Sequence, residues 1–346
     1  MCNTIMEVLG VMGKQVLWID WAFLGRSQNI AERLGVKYYH LNYFSGKQNK
    51  IYVVLRYFLA SIHTICIILF KTPRIVITTG TPPFPQFIVY YFSKIKEMKT
   101  VIDTHSGYFD DKKFHILPEL RKRILKNAFL HIVTNDYHKN MVESNNGRAI
   151  ILGVLMESDN GIPEHKFENE KNFFWIASYS PDEPMEIVFD VARKMPDVNF
   201  YITGNKKKAP RSFISECSKY PNVFLTGFLP ENEFISYMKG STAVIALTNS
   251  DNTMQRGAYT ALSYKVPIIT SNWNLLKETF CKGTVHIDNT SIGLENAIRT
   301  ICADLGRFRK EIEELNGIHQ EIFFGKIREI QEKLLCEVRE RGTPPR

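Results

Sequence analysis

A short polar segment in the second half of the chain interrupts two apolar, strand-like stretches. Residues 250–257 read S-D-N-T-M-Q-R-G and lead into a helix-like stretch. A loop that enters a helix presents unpaired backbone N–H groups and the positive end of the helix dipole, which suit a diphosphate. Arg256 would add a permanent charge with a planar set of donors, and Gly257 would let an oxygen approach the backbone. The segment therefore predicts an anion site, although an ordinary capped helix with Arg256 in solvent fits the same residues.

A basic run follows another strand-like stretch. The sequence V-N-F-Y-I-T-G-N-K-K-K places Gly204 at the end of the strand, with Lys206, Lys207 and Lys208 directly after it. Ligands of doubly wound sheets bind at the carboxyl ends of the strands, so Lys206 and Lys207 are predicted to neutralise phosphate, and Lys208 less so. A solvated surface run is the alternative.

The totals limit the class of protein. A length of 346 residues suits two domains of about 150 residues each. A net charge of +8 favours an anionic partner: nucleic acid, a phosphorylated small molecule or an acidic membrane. Because the basic clusters are scattered and no nucleic-acid-binding module is recognisable, no nucleic acid partner is expected. The six cysteines lie far apart and no secretory signal is recognised, so we expect a reduced, cytoplasmic protein without a metal site.

The segment from Lys50 to Phe70 is long and apolar enough to suggest a transmembrane helix. Arg56 and His63 would be costly in hydrocarbon, and with Lys50 and Lys71 they recur at about heptad spacing as one polar stripe. A buried or membrane-grazing helix is therefore favoured over a membrane span.

Strand-like and helix-like stretches alternate through most of the chain. This alternation predicts parallel β-α-β units and doubly wound sheets. The pattern stops between residues 156 and 172, a charged stretch with Gly and Pro, and then restarts. The sequence thus predicts two similar α/β halves joined by a linker.

Several motifs carry a resemblance to a known family. The run N-V-F-L-T-G-F-L-P-E-N-E-F-I-S-Y-M-K-G-S-T-A-V-I-A-L, the polar loop and A-Y-T-A-L-S-Y-K-V-P-I-I-T-S-N resemble the donor half of GT-B glycosyltransferases, especially GT4-like bacterial sugar transferases that act on lipid-linked saccharides. The stretches T-G-T-P-P-F-P and V-I-D-T-H-S-G-Y-F look like the acceptor half. The specific motifs lie within residues 222–272, and the rest of the resemblance is one of element order.

The resemblance implies an α/β fold of GT-B type: two Rossmann-like, doubly wound parallel-sheet domains facing a cleft, with C-terminal helices packing back on the first domain. Residues 1–156, joined by C-terminal helices at about 316–346, would form the acceptor-side domain. Residues 172–315 would bind the donor, a nucleoside diphosphate sugar in the UDP or GDP form, with no other cofactor.

The resemblance also implies site residues. The implied donor-binding residues are Gly204, Lys206, Lys207, Gly227, Phe228, Leu229, Asn252, Thr253, Met254, Gln255, Arg256, Gly257 and Thr260. The turn at 227–229 would back onto the nucleobase, although a plain strand-to-helix turn reads the same. On the acceptor side, Asp103 and His105 lie two residues apart at a strand end, so both would point the same way as candidate base and positioning residue; two polar residues that only close the strand are the alternative. The weaker candidates Asp110 and Asp111 follow.

Gly25, Arg26 and Ser27 open the first helix of the chain and form a possible anion or acceptor contact. Ser27 is equally explained as a helix N-cap. Basic residues at 119–127, together with the apolar helix at 50–70, predict a peripheral protein of the cytoplasmic membrane, whose inner leaflet would carry the acceptor.

The chain departs from the family pattern at two places. Retaining GT4 enzymes carry two glutamates where this chain has Asn252 and Thr260, and the family usually supplies an Arg and a Lys where this chain has Asp182 and Glu183. These departures leave the stereochemical outcome open.

The favoured function is a metal-independent, hexosyltransferase-like enzyme that moves a sugar from a nucleoside diphosphate donor to a membrane-linked saccharide in polysaccharide or glycan biosynthesis. The alternative is a catalytically silent GT-B subunit that binds nucleotide sugar or a partner transferase. A dinucleotide-dependent oxidoreductase is disfavoured because no G-x-G-x-x-G follows the strands that end at Asp20 or Ser178.

Overall fold

The structure is a computed structural model that describes residues 12–22, 25–44, 46, 49–104, 108–109, 116–153, 161–251 and 253–340. The chain divides into two compact units, each built on one six-stranded parallel sheet. Unit 1 comprises Met1–Leu155 with Ile322–Arg346, and unit 2 comprises Met156–Glu321.

Within the described residues, unit 1 has six strands and five complete helices of its own. The strands are β1 (Val16–Asp20), β2 (Lys37–His40), β3 (Ile75–Thr79), β4 (Lys99–Thr104), β5 (Leu130–Val133) and β6 (Ala149–Ile151). The helices are α1 (Gly25–Leu34), α2 (Lys50–Lys71), α3 (Phe84–Ile95), α4 (Pro118–Asn127) and α5 (Asp136–Glu143). The sheet has the order β2-β1-β3-β4-β5-β6, and all neighbouring strands are parallel.

Unit 2 repeats this plan. Its strands are β7 (Asn172–Ile176), β8 (Asn199–Thr203), β9 (Val223–Gly227), β10 (Ala243–Ala246), β11 (Ile268–Ser271) and β12 (Thr284–Ile287). Its helices are α6 (Ile187–Lys194), α7 (Arg211–Cys217), α8 (Glu231–Gly240), α9 (Arg256–Ser263), α10 (Asn274–Thr279) and α11 (Ser291–Ala303). The order β12-β11-β10-β7-β8-β9 is again fully parallel. A last helix, α12 (Leu305–Glu340), contributes residues to both units.

Apolar side chains cover both faces of each sheet. In β1, Val16 and Trp18 join a core with α1 and α12, whereas Leu17 and Ile19 join a second core with α2. Successive side chains of a strand point to opposite faces, so a run of apolar residues is needed when both faces are covered. The predicted doubly wound parallel sheets are confirmed.

The last helix packs on the core of unit 1 through one stripe. Its buried residues Phe323, Ile327, Ile330, Leu334 and Val338 recur every three or four positions, which places them on one helix face. The prediction that the C-terminal part of the chain packs back on the first domain is confirmed. It does so as part of a single helix of 36 residues.

Two residues of the polar stripe of α2, Arg56 and His63, contact the segment that precedes the helix. Arg56 donates through Nε to the carbonyl oxygen of Tyr43 at 2.7 Å and through Nη2 to that of Phe44 at 2.8 Å. The Tyr43 hydroxyl lies 2.6 Å from Nδ1 of His63. In the described part of the chain, α2 alone has the length and composition of a helix that could cross a membrane, and 22% of its most apolar window is buried.

Candidate functional site

The strand order of unit 2 brings four loops together at the carboxyl edge of the sheet. The strands β10, β7, β8 and β9 are consecutive neighbours, so the loops that follow them lie side by side. The basic turn after β8 therefore lies between the loop after β7 and the turn after β9. The polar loop before α9 follows β10, on the other side of β7.

The turn after β8 depends on Gly204. This residue has φ of +137°, and a Cβ atom there would collide with the carbonyl oxygen of Ala177 at the end of the neighbouring strand. The backbone N–H of Gly204 donates to the carbonyl oxygen of Gly227 at 3.0 Å, which ties the turn to the end of β9. Lys206 and Lys207 follow on the exposed side of the turn.

Lys206 lies directly beside the turn after β9. Its Cε atom is 3.2 Å from the position that a Cβ atom on Gly227 would occupy, and Gly227 itself has φ of +79°. The next residue, Phe228, is 83% exposed, and Leu229 is half-buried. The structure thus brings together a cation and an exposed aromatic ring that the sequence placed 22 positions apart.

The amino terminus of α9 is not capped by the side chain of its N-cap residue. The helix begins at Arg256, and the preceding residue, Gln255, makes no capping hydrogen bond with its side chain. The first N–H groups of a helix have no partner within the helix, so these amides are available to an acceptor from outside. Arg256 is exposed at this end, whereas Met254 is half-buried.

Gly257 lies against the neighbouring strand. A Cβ atom at this position would lie 3.1 Å from Cβ and Cγ2 of Ile176, at the end of β7. The missing side chain therefore lets α9 pack closely on the sheet. Thr260, one turn further along, donates its hydroxyl to the carbonyl oxygen of Arg256 at 3.0 Å.

A hydrogen-bond network fixes the start of the polar loop to neighbouring loops of unit 2. Thr248 donates its hydroxyl to Asp182 at 2.7 Å, and its backbone N–H donates to the Ser271 hydroxyl at 2.9 Å. Asn289 donates to the Thr248 carbonyl oxygen at 2.9 Å and accepts from Ser271 at 2.7 Å. Further along the loop, Thr253 donates to the Ser250 hydroxyl at 2.8 Å.

The two carboxylates of the loop after β7 accept hydrogen bonds from nearby protein groups. The Glu183 carboxylate accepts from the backbone N–H groups of Ser178 and Tyr179, both at 2.9 Å, and from the Ser178 hydroxyl at 2.7 Å. Hydrogen bonds from Ser180 and Thr248 lower the pKa of Asp182. The two acids that replace the Arg and Lys of the family pattern are therefore held by their own loop and by the loop after β10.

The carboxyl edge of the sheet in unit 1 holds a buried acidic group that sequence reasoning did not select. Asp20, at the end of β1, accepts from the Thr79 N–H at 2.9 Å, from the Thr79 hydroxyl, and from Nε1 of Trp18 at 3.0 Å. The pKa of Asp20 is raised to about 6. Burial is the largest cause and the nearby Asp103 adds to it, while the hydrogen bonds from Thr79 and Ser27 oppose both. Asp20 is the polar end of the otherwise apolar strand V-L-W-I-D, and this was the signal that could have identified it.

Arg26 and Asp103 form a buried charged pair. Their closest atoms, Nη2 and Oδ1, are 3.8 Å apart, and the side chain of Asp103 is fully buried. The Arg26 guanidinium also donates to the carbonyl oxygens of Leu152, at 2.8 Å, and Gly153. The structure thus directs two nitrogens of the Arg26 guanidinium to backbone carbonyl oxygens.

The remaining acceptor-side predictions fall into two groups. Ser27 is buried as the third residue of α1, which begins at Gly25, so it is not the N-cap; its hydroxyl lies 3.4 Å from that of Thr79. His105, Asp110 and Asp111 lie outside the described part of the chain, as does Asn252 on the donor side.

No protein-family model and no curated protein matches this sequence. Solved structures do match it. Sucrose-phosphate synthase from Thermosynechococcus elongatus superposes with a TM-score of 0.70 at 11% identity, over 93% of this chain and 99% of that one. HepE from Anabaena in complex with UDP-glucose gives 0.64 at 12% identity, over 93% and 99%. A glycosyltransferase from Rickettsia africae gives 0.62 at 13% identity, over 96% and 94%.

At these identities the similarity establishes the architecture, which agrees with the two parallel, doubly wound units described above. The chain therefore has the GT-B fold of the glycosyltransferases that it matches.

Proposed function

We propose that the protein is a glycosyltransferase that takes a hexose from a nucleoside diphosphate sugar. The observation that carries the proposal is the carboxyl edge of the unit 2 sheet, where Lys206 beside Gly227 and the uncapped α9 with Arg256 follow strands of one sheet. Two cations and a set of unpaired amides match the charge of a diphosphate. The complexes of HepE with UDP and with UDP-glucose support a UDP form of the donor over GDP.

The same groups would serve the chemistry. In glycosyl transfer, an acceptor hydroxyl attacks the anomeric carbon as the bond to the diphosphate breaks, and negative charge grows on the leaving oxygens. Lys206, Arg256 and the α9 amides would stabilise that charge without a metal ion. Phe228, with its exposed ring, would cover one face of the nucleobase.

We propose Asp103 or His105 as the base that accepts the proton of the acceptor hydroxyl. Asp103 ends β4 and is fully buried beside Arg26, so a direct role requires the acceptor to reach a carboxylate that solvent does not touch. Substitution Asp103→Asn is expected to lower kcat by about a hundredfold or more and to leave the donor Kd unchanged. A proportional loss of donor affinity would argue for a structural role instead.

The acceptor that we propose is a saccharide linked to a membrane lipid, for polysaccharide or glycan biosynthesis, at the cytoplasmic face of the membrane. The exposed apolar surface of α2 in unit 1 supports this choice. A soluble acceptor would give the chain no use for such a surface.

Calorimetric titration with UDP and GDP tests the donor site. We expect Arg256→Ala and Lys206→Ala each to weaken binding by about tenfold, the loss of one charge-assisted contact of ~1.5 kcal/mol. Lys310→Ala, which removes an exposed lysine from α12, is the matched control and should bind as the wild-type chain does. Unchanged affinity in both site variants would remove this edge as the donor site.

A catalytically silent subunit is the second candidate. It is favoured by Thr260, an uncharged residue whose hydroxyl is engaged by its own helix where the family pattern has a glutamate. Incubation of the protein and membranes with radiolabelled UDP- and GDP-sugars separates the two candidates. Transfer of label to lipid supports the enzyme, and nucleotide binding without any transfer supports the silent subunit.

A further inference from the structure

One side of α2 exposes an unbroken series of apolar side chains. The series, here called the apolar face, consists of Ile51, Val54, Phe58, Ile62 and Leu69. Their spacing of three, four, four and seven residues places them on one stripe of the helix. Phe58 is 60% exposed and Ile51 is 72% exposed, which is unusual for a contiguous set of large apolar residues on a soluble protein.

The opposite side of α2 is part of the protein interior. Ala60, Thr64 and Ile68 are buried, and the Thr64 hydroxyl accepts from Nε1 of Trp21 at 3.0 Å. Arg56 is bound by two backbone carbonyl oxygens on the protein side. The polar groups that would oppose contact with lipid are thus turned away from the apolar face.

The neighbouring helix continues the same character. Helix α3 packs beside α2, with Phe84 and Tyr57 rings 5.0 Å apart between their centroids, and it exposes Tyr91 and Ile95. Both helices present apolar side chains to solvent, and neither contains an acidic residue.

The charge of this region has one sign. No Asp or Glu occurs between Glu32 and Glu97, whereas Lys50 and Lys71 bound α2 and Lys94 lies in the last turn of α3. These three lysines are exposed. Basic residues beside an apolar surface attract the headgroup region of an anionic membrane.

We propose that the apolar face docks unit 1 on an anionic phospholipid bilayer, with α2 lying in the plane of the interface. Its opposite side is fixed to the sheet of unit 1, so the helix inserts its apolar side chains without crossing the bilayer. The absence of acidic residues favours an anionic lipid surface over a second copy of the same basic face, which would repel it. The inference rests on the proposed function for one point, the membrane-linked acceptor that the docked surface would reach.

Flotation with vesicles tests the docking. The full-length chain is expected to float with vesicles of phosphatidylcholine and phosphatidylglycerol, and more weakly with phosphatidylcholine alone. The double variant Phe58→Ser/Ile62→Ser should lower partitioning to the anionic vesicles by about tenfold or more. Both positions are exposed, so their replacement should leave the fold intact.

A second variant and a matched control complete the design. Ile51→Ser/Val54→Ser tests the same face at its other end and should lower partitioning similarly. Ile292→Ser/Ile318→Ser removes two exposed isoleucines from unit 2 and should float as the wild-type chain does. Circular dichroism checks that each variant is folded.

Three results would overturn the inference. The first is that the wild-type chain does not float, and the second is that the wild-type chain and the α2 variants float equally. The third is that the wild-type chain sediments as a dimer and does not bind vesicles, whereas the α2 variants sediment as monomers. Vesicle binding requires neither donor nor acceptor, so flotation without sugar transfer would contradict the proposed function and leave the docking supported. Sugar transfer without flotation would contradict only the docking.

Discussion

Two buried groups of unit 1 are expected to make its stability depend on pH in opposite directions. Burial raises the pKa of Asp20 from 3.8 to about 6, and burial lowers the pKa of His131 from 6.5 to about 4. Both residues are at most 1% exposed, so solvent does not screen either effect. His131 lies in β5, with Nε2 3.1 Å from the Leu125 carbonyl oxygen, which can only accept; Nε2 therefore carries the proton of the neutral ring.

The sign of each effect follows from which state binds the proton. As pH rises from 3.8 to about 6, unfolded chains release the Asp20 proton before folded ones do, so stability is lost over this window. As pH falls from 6.5 to about 4, unfolded chains bind a proton at His131 first, so stability is again lost. Each effect amounts to about 3 kcal/mol. In the wild-type chain the two pH dependences of stability nearly cancel. A substitution that removes one buried group should therefore reveal the pH dependence that the other group causes.

Hydrogen exchange of peptides that contain β1 and β5 measures this free energy in unit 1 alone. Comparison of variant and wild type at the same pH cancels the intrinsic pH dependence of exchange. From pH 4 to pH 7, the stability of Asp20→Asn relative to wild type should rise by about 3 kcal/mol, roughly a hundredfold in exchange rate. That of His131→Gln should fall by a similar amount.

Asp136→Asn, which removes an exposed carboxylate of unit 1, is the control for loss of a surface charge. Any constant offset, such as the lost bond from Trp18, does not affect the slopes. Free energies of unfolding that stay parallel in both buried-site variants and the wild type across this range would refute the link between these pKa values and stability.

Three further predictions concern the donor-side edge of unit 2. Gly204→Ala should destabilise the unit by ~2 kcal/mol or more, because its Cβ atom would meet the Ala177 carbonyl oxygen and its φ of +137° disfavours any side chain; a thermal melt measures the loss. Gly257→Ala should lower the stability of unit 2 by about 1–3 kcal/mol through overpacking against Ile176. In a double-mutant cycle, Ile176→Val should recover part of that loss, whereas additive effects would contradict the contact. Glu183→Ala should leave two loop amides without their acceptor and speed proteolysis after β7; an unchanged cleavage rate would deny the carboxylate this role.

The sequence predicted the architecture because its signals are local. The alternation of β-branched strands with helices specifies parallel units, and apolar runs such as V-L-W-I-D specify strands covered on both faces. The turn glycines could be predicted for the same reason, since Gly204 and Gly227 stand where strands end and the backbone takes positive φ. The likeness to solved GT-B structures agrees with these predictions.

Side-chain partners were harder to predict, because they depend on residues far away in the sequence. Arg26 looked like an anion contact, but it binds carbonyl oxygens more than 120 positions later. The close approach of Ile176, from a neighbouring strand, to Gly257 could not be predicted from the residues around Gly257. Glu183 stands where the family pattern has a basic residue, and only the structure shows that its carboxylate accepts hydrogen bonds from backbone N–H groups of its own loop.

Helix α2 shows the division most clearly. Its sequence determined that it is a long apolar helix with one polar stripe, because side-chain positions repeat with the helical period. Only the tertiary structure decided which side packs on the protein. Ala60, Thr64 and Ile68 are buried on that side, and the carbonyl oxygens of Tyr43 and Phe44 bind Arg56. Local periodicity specifies which residues share a face of a helix. Packing and hydrogen-bond partners that are distant in the sequence decide which face is buried and which stays exposed.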